Sequence, residues 1–402
     1  MRSSRAGRTC VLVAGTAAGI AAVAATGTVP ATDTAPAAGT GVAAAGQPPA
    51  AGFAEALAPR SLVFPRDHGP HPQFRQEWWY LTGNLDAADG ARFGFELTFF
   101  RYALAPQLAP APKESSAPES SSRASAWSTR QMYLAHFAIT DVARRRFVSA
   151  ESLERDALGL SGAQGEPLKV WIDDWSLSAV PGAAGAAGAW RASAAQPGYA
   201  LELELRPLTP PVLNGDAGLS VKSTRPGDAT YYYSIPRMAA AGRILRDGRT
   251  IPVTGLAWFD REWGSGGLGP DEVGWDWFGL QLADGSALMF YVLRDHGGGR
   301  DPHSAGTWVD PAGRSRALSD DQVQIEVRGR WTSPHRVRYP AAWRIRVPTL
   351  ALDVEVTPVL PGQELETTPR YWEGAVDVDG ERGGGRLGGR GYVELVGYAA
   401  GR

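Results

Sequence analysis

The chain has 402 residues, a formal net charge of -2 at pH 7, 44% hydrophobic residues, 14 tryptophans and one cysteine. A near-neutral balance without a basic block excludes binding to a phosphate backbone, so no nucleic-acid partner is expected. The lone Cys10 excludes an internal disulfide, and its place near the N-terminus leaves the rest of the chain without a thiol for catalysis or metal binding.

Arg2, Arg5 and Arg8 precede an apolar run over residues 10–29, and Ala22-Val23-Ala24 offers a small-x-small cleavage site. This predicts an export signal over residues 1–25 and a periplasmic or extracellular location. The run is rich in Ala, Gly and Thr, which makes it weakly hydrophobic for a spanning helix. Residues 26–55, mostly Ala, Gly, Pro and Thr, predict a linker too poor in apolar side chains to fold. What remains is long enough for two domains, drawn at 56–238 and 239–402.

Strand patterns dominate that remainder. In "ARFGFELTFFR", Phe93, Phe95, Leu97 and Phe99 fall on one face and Gly94, Glu96, Thr98 and Phe100 on the other. "QMYLAHFAITD" places Met132, Leu134, His136 and Ala138 together, and "YALELELRP", "QVQIEVRGRW", "WRIRVPTLALDVEVTP" and "GRGYVELVGY" alternate likewise. Asp89-Gly90, Asp247-Gly248, Asp284-Gly285 and Asp379-Gly380 are spaced as turns of an antiparallel meander. The best helical candidate is one short turn near residues 319–322. Residues 103–125, rich in Pro, Ala and Ser, and the smaller Gly/Ala insertion over residues 181–189 read as exposed loops. The fold class is all-β.

An internal repeat is also visible. Trp79 and Gly83 match Trp275 and Gly279; an Asp-Gly turn follows each, then an alternating strand ending in Arg101 or Arg294. Glu77-Trp78 is echoed by Glu262-Trp263. An offset near half of the chain predicts two similar barrels in tandem.

The motifs "FPRDHGPHPQFRQEWWYLTGNL", "YLAHFAITD", "YYYSIPRM", "GLAWFDREWG", "WDWFGLQLADG" and "YWEGAVDVDGERGGGRLGGRGYVELVGY" together resemble the AttH/CrtC family, secreted proteins designated hydrolases and related to carotenoid 1,2-hydratase. The resemblance spans residues 62–398. It implies two lipocalin-like antiparallel β-barrels packed together and a nonpolar ligand or substrate. Where hydratase members carry a His in the second-domain motif, this chain has Arg261, which stays protonated and cannot shuttle protons.

The chemistry-bearing candidates cluster around Trp. As a strand, "LAWFDREWG" puts Trp258, Asp260 and Glu262 on one face and Phe259, Arg261 and Trp263 on the other. Indoles around a carboxyl raise its pKa toward neutrality, which suits a proton donor to an alkene, and their faces stabilise the resulting cation. The structural alternative is an ion network with Arg261, Arg237 or Arg75. Asp276, between Trp275 and Trp277, is the first choice for the general acid, against a strand-end Asp bonded to backbone amides. His136 is a further acid–base candidate or a satisfied wall residue. His68 and His71 are separated by Gly69 and Pro70 and lack a third His nearby, so no metal site is assigned. Trp78, Trp79, Tyr80, Tyr232, Trp258, Trp263, Trp275 and Trp277 are the expected ligand walls, alternatively the plugs of barrel ends. G-x-S-x-G and H-E-x-x-H do not occur, so neither a serine nucleophile nor a zinc protease is supported.

The expectation is an exported two-barrel protein whose closed sheets shelter an apolar cavity for a carotenoid, terpenoid or lipid. It acts as a cofactor-free hydratase or, alternatively, a noncatalytic carrier of the same hydrophobic small molecule. Peripheral membrane contact and oligomeric state are left open. A third reading, a carbohydrate-binding sandwich, requires coplanar Trp rings in solvent.

Overall fold

The computed structural model describes residues 52–106, 129–180 and 188–399. The expected export signal, nearly all of the expected linker, most of the tract at 103–125 and residues 181–187 lie outside them. The first sheet comprises β1 (Gln76–Ala87), β2 (Arg92–Ala103), β3 (Gln131–Asp141), β4 (Arg146–Arg155), β5 (Ser161–Gln164), β6 (Lys169–Ile172), β7 (Trp175–Ala179), β8 (Trp190–Gln196), β9 (Tyr199–Pro207), β10 (Val212–Leu213), β11 (Leu219–Val221), β12 (Ala229–Arg246) and β13 (Arg249–Gly264). The second comprises β14 (Glu272–Leu282), β15 (Ala287–Asp295), β16 (Ala305–Val309), β17 (Ser315–Ser319), β18 (Gln324–Thr332), β19 (Arg338–Val347), β20 (Leu352–Pro358), β21 (Glu364–Leu365), β22 (Tyr371–Arg382) and β23 (Gly385–Leu395).

Both sheets are antiparallel and curl into nearly closed, lipocalin-like barrels. The expected division at 238/239 falls inside β12. Both β12 and β13 stay in the first sheet, because β13 pairs with β1 along its length and β12 with β9. The sheets therefore part between Gly264 and Glu272.

Strict alternation explains where the cores sit. Trp79, Leu81, Phe93, Phe95, Leu97, Phe99, Phe259 and Trp263 point into the first barrel, and Phe278, Leu280, Phe290, Trp343, Trp372 and Val393 into the second. Each such side chain contributes about 1.5–3 kcal/mol when fully buried. The alternate residues of β1, β2, β13, β14, β15, β22 and β23 are also largely buried, because the two barrels press these strands against each other. Tyr80, Tyr232, Trp258, Trp277, Met289, Tyr291 and Tyr392 form the apolar part of that seam. Gly94 of β2 sits where a Cβ would come within 2.6 Å of the Ala375 methyl, so the residue's lack of a side chain allows the sheets to touch.

Two local expectations change. Asp379-Gly380 lies within β22, where a Cβ on Gly380 would stand 2.3 Å from the Asp353 carbonyl oxygen of β20; the turn is made by Gly383 and Gly384 instead. The echo of Glu77-Trp78 in Glu262-Trp263 is pairing, not duplication, since Glu77 lies opposite Trp263 and Trp78 opposite Glu262 in adjacent strands. The short helical turn does form, as a 3-10 helix over Asp320–Gln322.

One end of the first barrel is closed by ions. Glu77 is fully buried and pairs with both Arg101 and Arg261. Its carboxylate also accepts the His71 backbone N–H at 2.9 and 3.1 Å. Arg101 donates to the Phe74 carbonyl at 2.8 Å and Arg261 to the Gly69 carbonyl at 2.7 Å, which ties the segment before β1 across the barrel end. The Arg261 guanidinium lies 3.9 Å from the Trp79 ring centroid, and the His71 ring stacks on Trp263 at 3.8 Å. Burial pushes the Glu77 carboxyl up, but Arg261 and Arg101 outweigh it and hold it well below the usual carboxylate range.

The seam holds the opposite case. Glu96 is fully buried with neither carboxyl oxygen hydrogen-bonded, and burial pushes it from 4.5 up to about 8. These two glutamates predict both limbs of the stability profile. Glu77, with a depressed pKa, stabilises the fold above the ordinary carboxylate pKa, and that contribution is lost as pH falls below it. Glu96, with a raised pKa, favours the fold fully only below the ordinary value of 4.5, and stability declines as pH rises toward about 8. Thermal unfolding across this range should show that Glu96→Gln flattens the alkaline decline, whereas an unchanged slope would contradict the assignment. Glu77→Ala, which strands two buried guanidinium groups, should lose about 3–5 kcal/mol in urea unfolding at neutral pH.

Candidate active site

The cavity lies in the seam between the barrels and not within either of them. Its volume is about 250 Å³. From the first sheet it is lined by Trp78 and Tyr80 of β1, Phe100 and Tyr102 of β2, Thr230 and Tyr232 of β12, and Asp260 and Glu262 of β13. The second sheet contributes Trp275, Trp277, Tyr291, Leu293 and Glu394. Residues 225–228 and 265–268, with Gln76 and Glu55, form the rim, and Lys222 stands just after β11.

Register builds the mixture of rings and acids. Trp78, Glu262 and Tyr232 are direct neighbours across β1, β13 and β12, as are Tyr80, Asp260 and Ser234. Period-two alternation then sends all six to the seam, where they meet Trp275 and Trp277 from β14. This is why one carboxylate sits beside three consecutive aromatics in the sequence: Glu77 and Trp79 belong to the first core, Trp78 and Tyr80 to the cavity.

Asp260 is enclosed and multiply bonded. Tyr232 donates its hydroxyl to Oδ2 at 2.6 Å, and the Trp258 indole donates to Oδ1 at 2.7 Å. The Trp277 indole in turn donates to the Tyr232 oxygen at 3.1 Å. Burial pushes the Asp260 carboxyl up to about 7 against the hydrogen bonds from Ser234, Tyr232 and Trp258, and the nearby Glu262 charge adds to the rise. Glu394 accepts the Trp275 indole N–H at 2.7 Å and is likewise pushed by burial up to about 7, with Glu262 and Asp260 contributing. Glu262 differs: Thr230 donates to it, and the Lys222 ammonium lies 3.2 Å from its Oε1. Behind the cavity, Glu373 pairs across the strands with Glu394 and accepts the Tyr80 hydroxyl at 2.7 Å. Burial, followed by Glu394 and Glu96, raises Glu373 well above the usual range.

The structure thus brings Asp260, Glu262, Trp78, Tyr80, Tyr232, Trp275 and Trp277 to one cavity, with Trp258 behind Asp260. Four other candidates do not reach it. Asp276 shares the face of Phe278 and points into the second barrel, where Arg294 lies 2.9 Å away and Tyr398 donates to both oxygens. It is an anchored ion-pair residue, the counterpart of Glu77 in the first barrel. Trp79 and Trp263 fill the first core. His136, on the outer face of β3, is held by Tyr371 at 2.8 Å and Glu151 at 3.2 Å, and burial lowers its pKa. His68 contacts Tyr233 at 2.6 Å, and His71 lies 3.2 Å from Asp67.

Among the cavity residues that escape the sequence reading, Lys222, Tyr291 and Glu394 matter most for its chemistry. Glu394 leaves a signal, an acid within "GYVELVGY" on the same face as Tyr392, in a stretch whose other side chains are apolar or aromatic. Lys222 is one of only three lysines. No Trp is among the exposed large hydrophobic residues described, so the solvent-facing platform of a carbohydrate-binding sandwich does not form.

Comparison with known proteins places this geometry. The crystal structure of an AttH protein from Nitrosomonas europaea matches with a TM-score of 0.74 at 34% identity, covering 86% of this chain and 100% of that one. Kievitone hydratase from Nectria haematococca shares the fold, with a TM-score of 0.63 at 14% identity over 84% of this chain and 93% of that one. Dehydratase asqC of Emericella nidulans is 24% identical over 223 residues, 51% of this chain and 60% of the dehydratase, so the match spans less than two thirds of that enzyme. A family model described as AttH-like matches residues 55–398. From the strand that opens the first barrel to the tyrosine that closes on Asp276, this chain belongs to the AttH-like family.

Proposed function

We propose that this protein is an exported, cofactor-free lyase that adds water to, or removes it from, a largely apolar substrate held in the seam between its barrels. One observation carries the reading: Asp260, a buried carboxyl with its pKa near neutrality, lines the same cavity as Glu394 among Trp and Tyr rings. Hydration and dehydration are one reaction run in opposite directions. The names of the dehydratase relative and of the hydratase with the same fold support that class. The Ala-rich N-terminal run supports export.

In the hydration direction, Asp260 gives its proton to one carbon of a C=C bond, and positive charge develops on the neighbouring carbon. The faces of Trp78, Trp275 and Trp277 stabilise that cation. Water forms the new C–O bond and passes a proton to the Glu394 carboxylate. The proton then returns to Asp260 through solvent, and because both acids titrate at about 7 this reset is nearly thermoneutral. Tyr232 and Trp258 keep Asp260 oriented and stabilise it once it is an anion. Glu262 is held instead by Thr230 and by the Lys222 ammonium 3.2 Å from its Oε1.

A carrier would use the same rings without bond making, and labelled water separates the two. The protein, incubated with acyclic terpenoid alkenes or tertiary alcohols in oxygen-18 water, should incorporate the label into an alcohol. Asp260→Asn should lower that rate about 10²-fold or more while ligand binding is retained. The wild-type rate should peak near pH 7, since one acid must be protonated while the other is ionised, and the two apparent pKa values belong to the pair. Binding without label incorporation across such a panel would favour the carrier.

A further inference from the structure

We propose that the cavity selects an uncharged ligand bearing a hydroxyl group, a phenol or an alcohol, and seats that hydroxyl against Lys222, Glu262 and Tyr291. Pure hydrocarbons and carboxylates are disfavoured. The inference deepens the reading above and rests on it only in taking the seam cavity as the ligand site.

The argument begins with a charge in an unusual place. The Lys222 side chain is 12% exposed and its ammonium lies 4.2 Å from the Tyr291 ring centroid and 5.6 Å from that of Tyr232. It donates to the Ser220 hydroxyl at 3.0 Å, and Ser220 is 2.9 Å from the Tyr291 hydroxyl. Burial alone would lower the Lys222 pKa, but Glu262 reverses this and the pKa is raised, so the ammonium is a permanent feature of the wall. Its charge is matched one for one by Glu262.

This polar corner is only partly satisfied from within. Oε1 of Glu262 is taken by Thr230 and Lys222, whereas Oε2 has no partner among the described residues. A hydrocarbon filling the cavity would strip water from the Lys222–Glu262–Tyr291 corner and return no hydrogen bond. A carboxylate meets a different obstacle. The Lys222–Glu262 pair carries no net positive charge to offset its desolvation, and the neighbouring Asp260 and Glu394 can only add negative charge. A neutral hydroxyl satisfies the corner by donating to Oε2 of Glu262, while its hydrocarbon body lies on Trp78, Phe100, Tyr102 and Trp275.

Three probes with the same two-ring body test this by titration calorimetry on the full chain near pH 6: 2-naphthol, 2-methylnaphthalene and 2-naphthoate. The wild type should bind 2-naphthol about tenfold or more tighter than either of the others. Lys222→Met, similar in length and uncharged, should bring 2-naphthol and 2-methylnaphthalene to about equal affinity. Tyr291→Phe keeps the ring and should reduce the preference several-fold, which preserves the test if the lysine variant fails to fold. Equal wild-type affinity for naphthol and methylnaphthalene, or tightest binding of naphthoate, overturns the inference but leaves the seam cavity as a ligand site. Failure of all three probes to bind overturns both.

Discussion

The second half of strand β13, from Ala257 to Gly264, is buried on both faces, and the arrangement of the molecule follows from that double burial. Its odd-numbered residues enter the first barrel, where Arg261 meets Glu77 and stacks near Trp79. Its even-numbered residues enter the seam, where Asp260 and Glu262 meet rings from both sheets. A slip of one residue in register would exchange these sets, burying Asp260 among Phe and Leu side chains and sending Arg261 into the cavity. The barrel closure and the proposed site therefore depend on the same hydrogen-bond register with β1 and β12.

Buried glutamates in this fold take two states, and the difference lies in their partners. Glu77 faces two guanidinium groups and backbone N–H donors, so the ionised form wins despite complete burial. Glu96 and Glu373 face other carboxyls and tyrosines without a compensating cation, so the neutral form is favoured. Asp260 and Glu394, both pushed to about 7, lie between these extremes, because hydrogen bonds to their anions oppose the same desolvation. A seam between two sheets can hold such groups more readily than a barrel core, since backbone register fixes each carboxyl in place while the rim still opens to solvent.

Much of this was legible in the strand pattern. The alternation of "LAWFDREWG" separates Asp260 and Glu262 from Arg261, and that separation is what the structure has. The pattern of "GWDWFG" likewise divides Asp276 from Trp275 and Trp277. Which side faces the cavity was not legible, because both faces of β14 are buried and hydropathy cannot rank one buried face above another. Asp276 was placed on the wrong side for this reason. The repeat misled in the same way: matching Trp79 with Trp275 sets a core residue against a cavity residue, whereas Glu77-Trp78-Trp79 and Asp276-Trp277-Phe278 agree in facing.

By itself the sequence determined the all-β class and the two-residue periodicity that sorts every strand into faces, while the two-barrel architecture was implied by the family resemblance of its motifs. The first two are local properties, set by side-chain volume, β-branching and turn residues along a few consecutive positions. Only the tertiary structure decided that the cavity lies between the barrels, that Glu394 and Lys222 join Asp260 and Glu262 there, and that Asp276, His136, Trp79 and Trp263 do not. Those outcomes depend on how two curled sheets pack, and the contacts that decide them join residues more than a hundred positions apart, such as Trp275 with Glu394 and Tyr80 with Glu373.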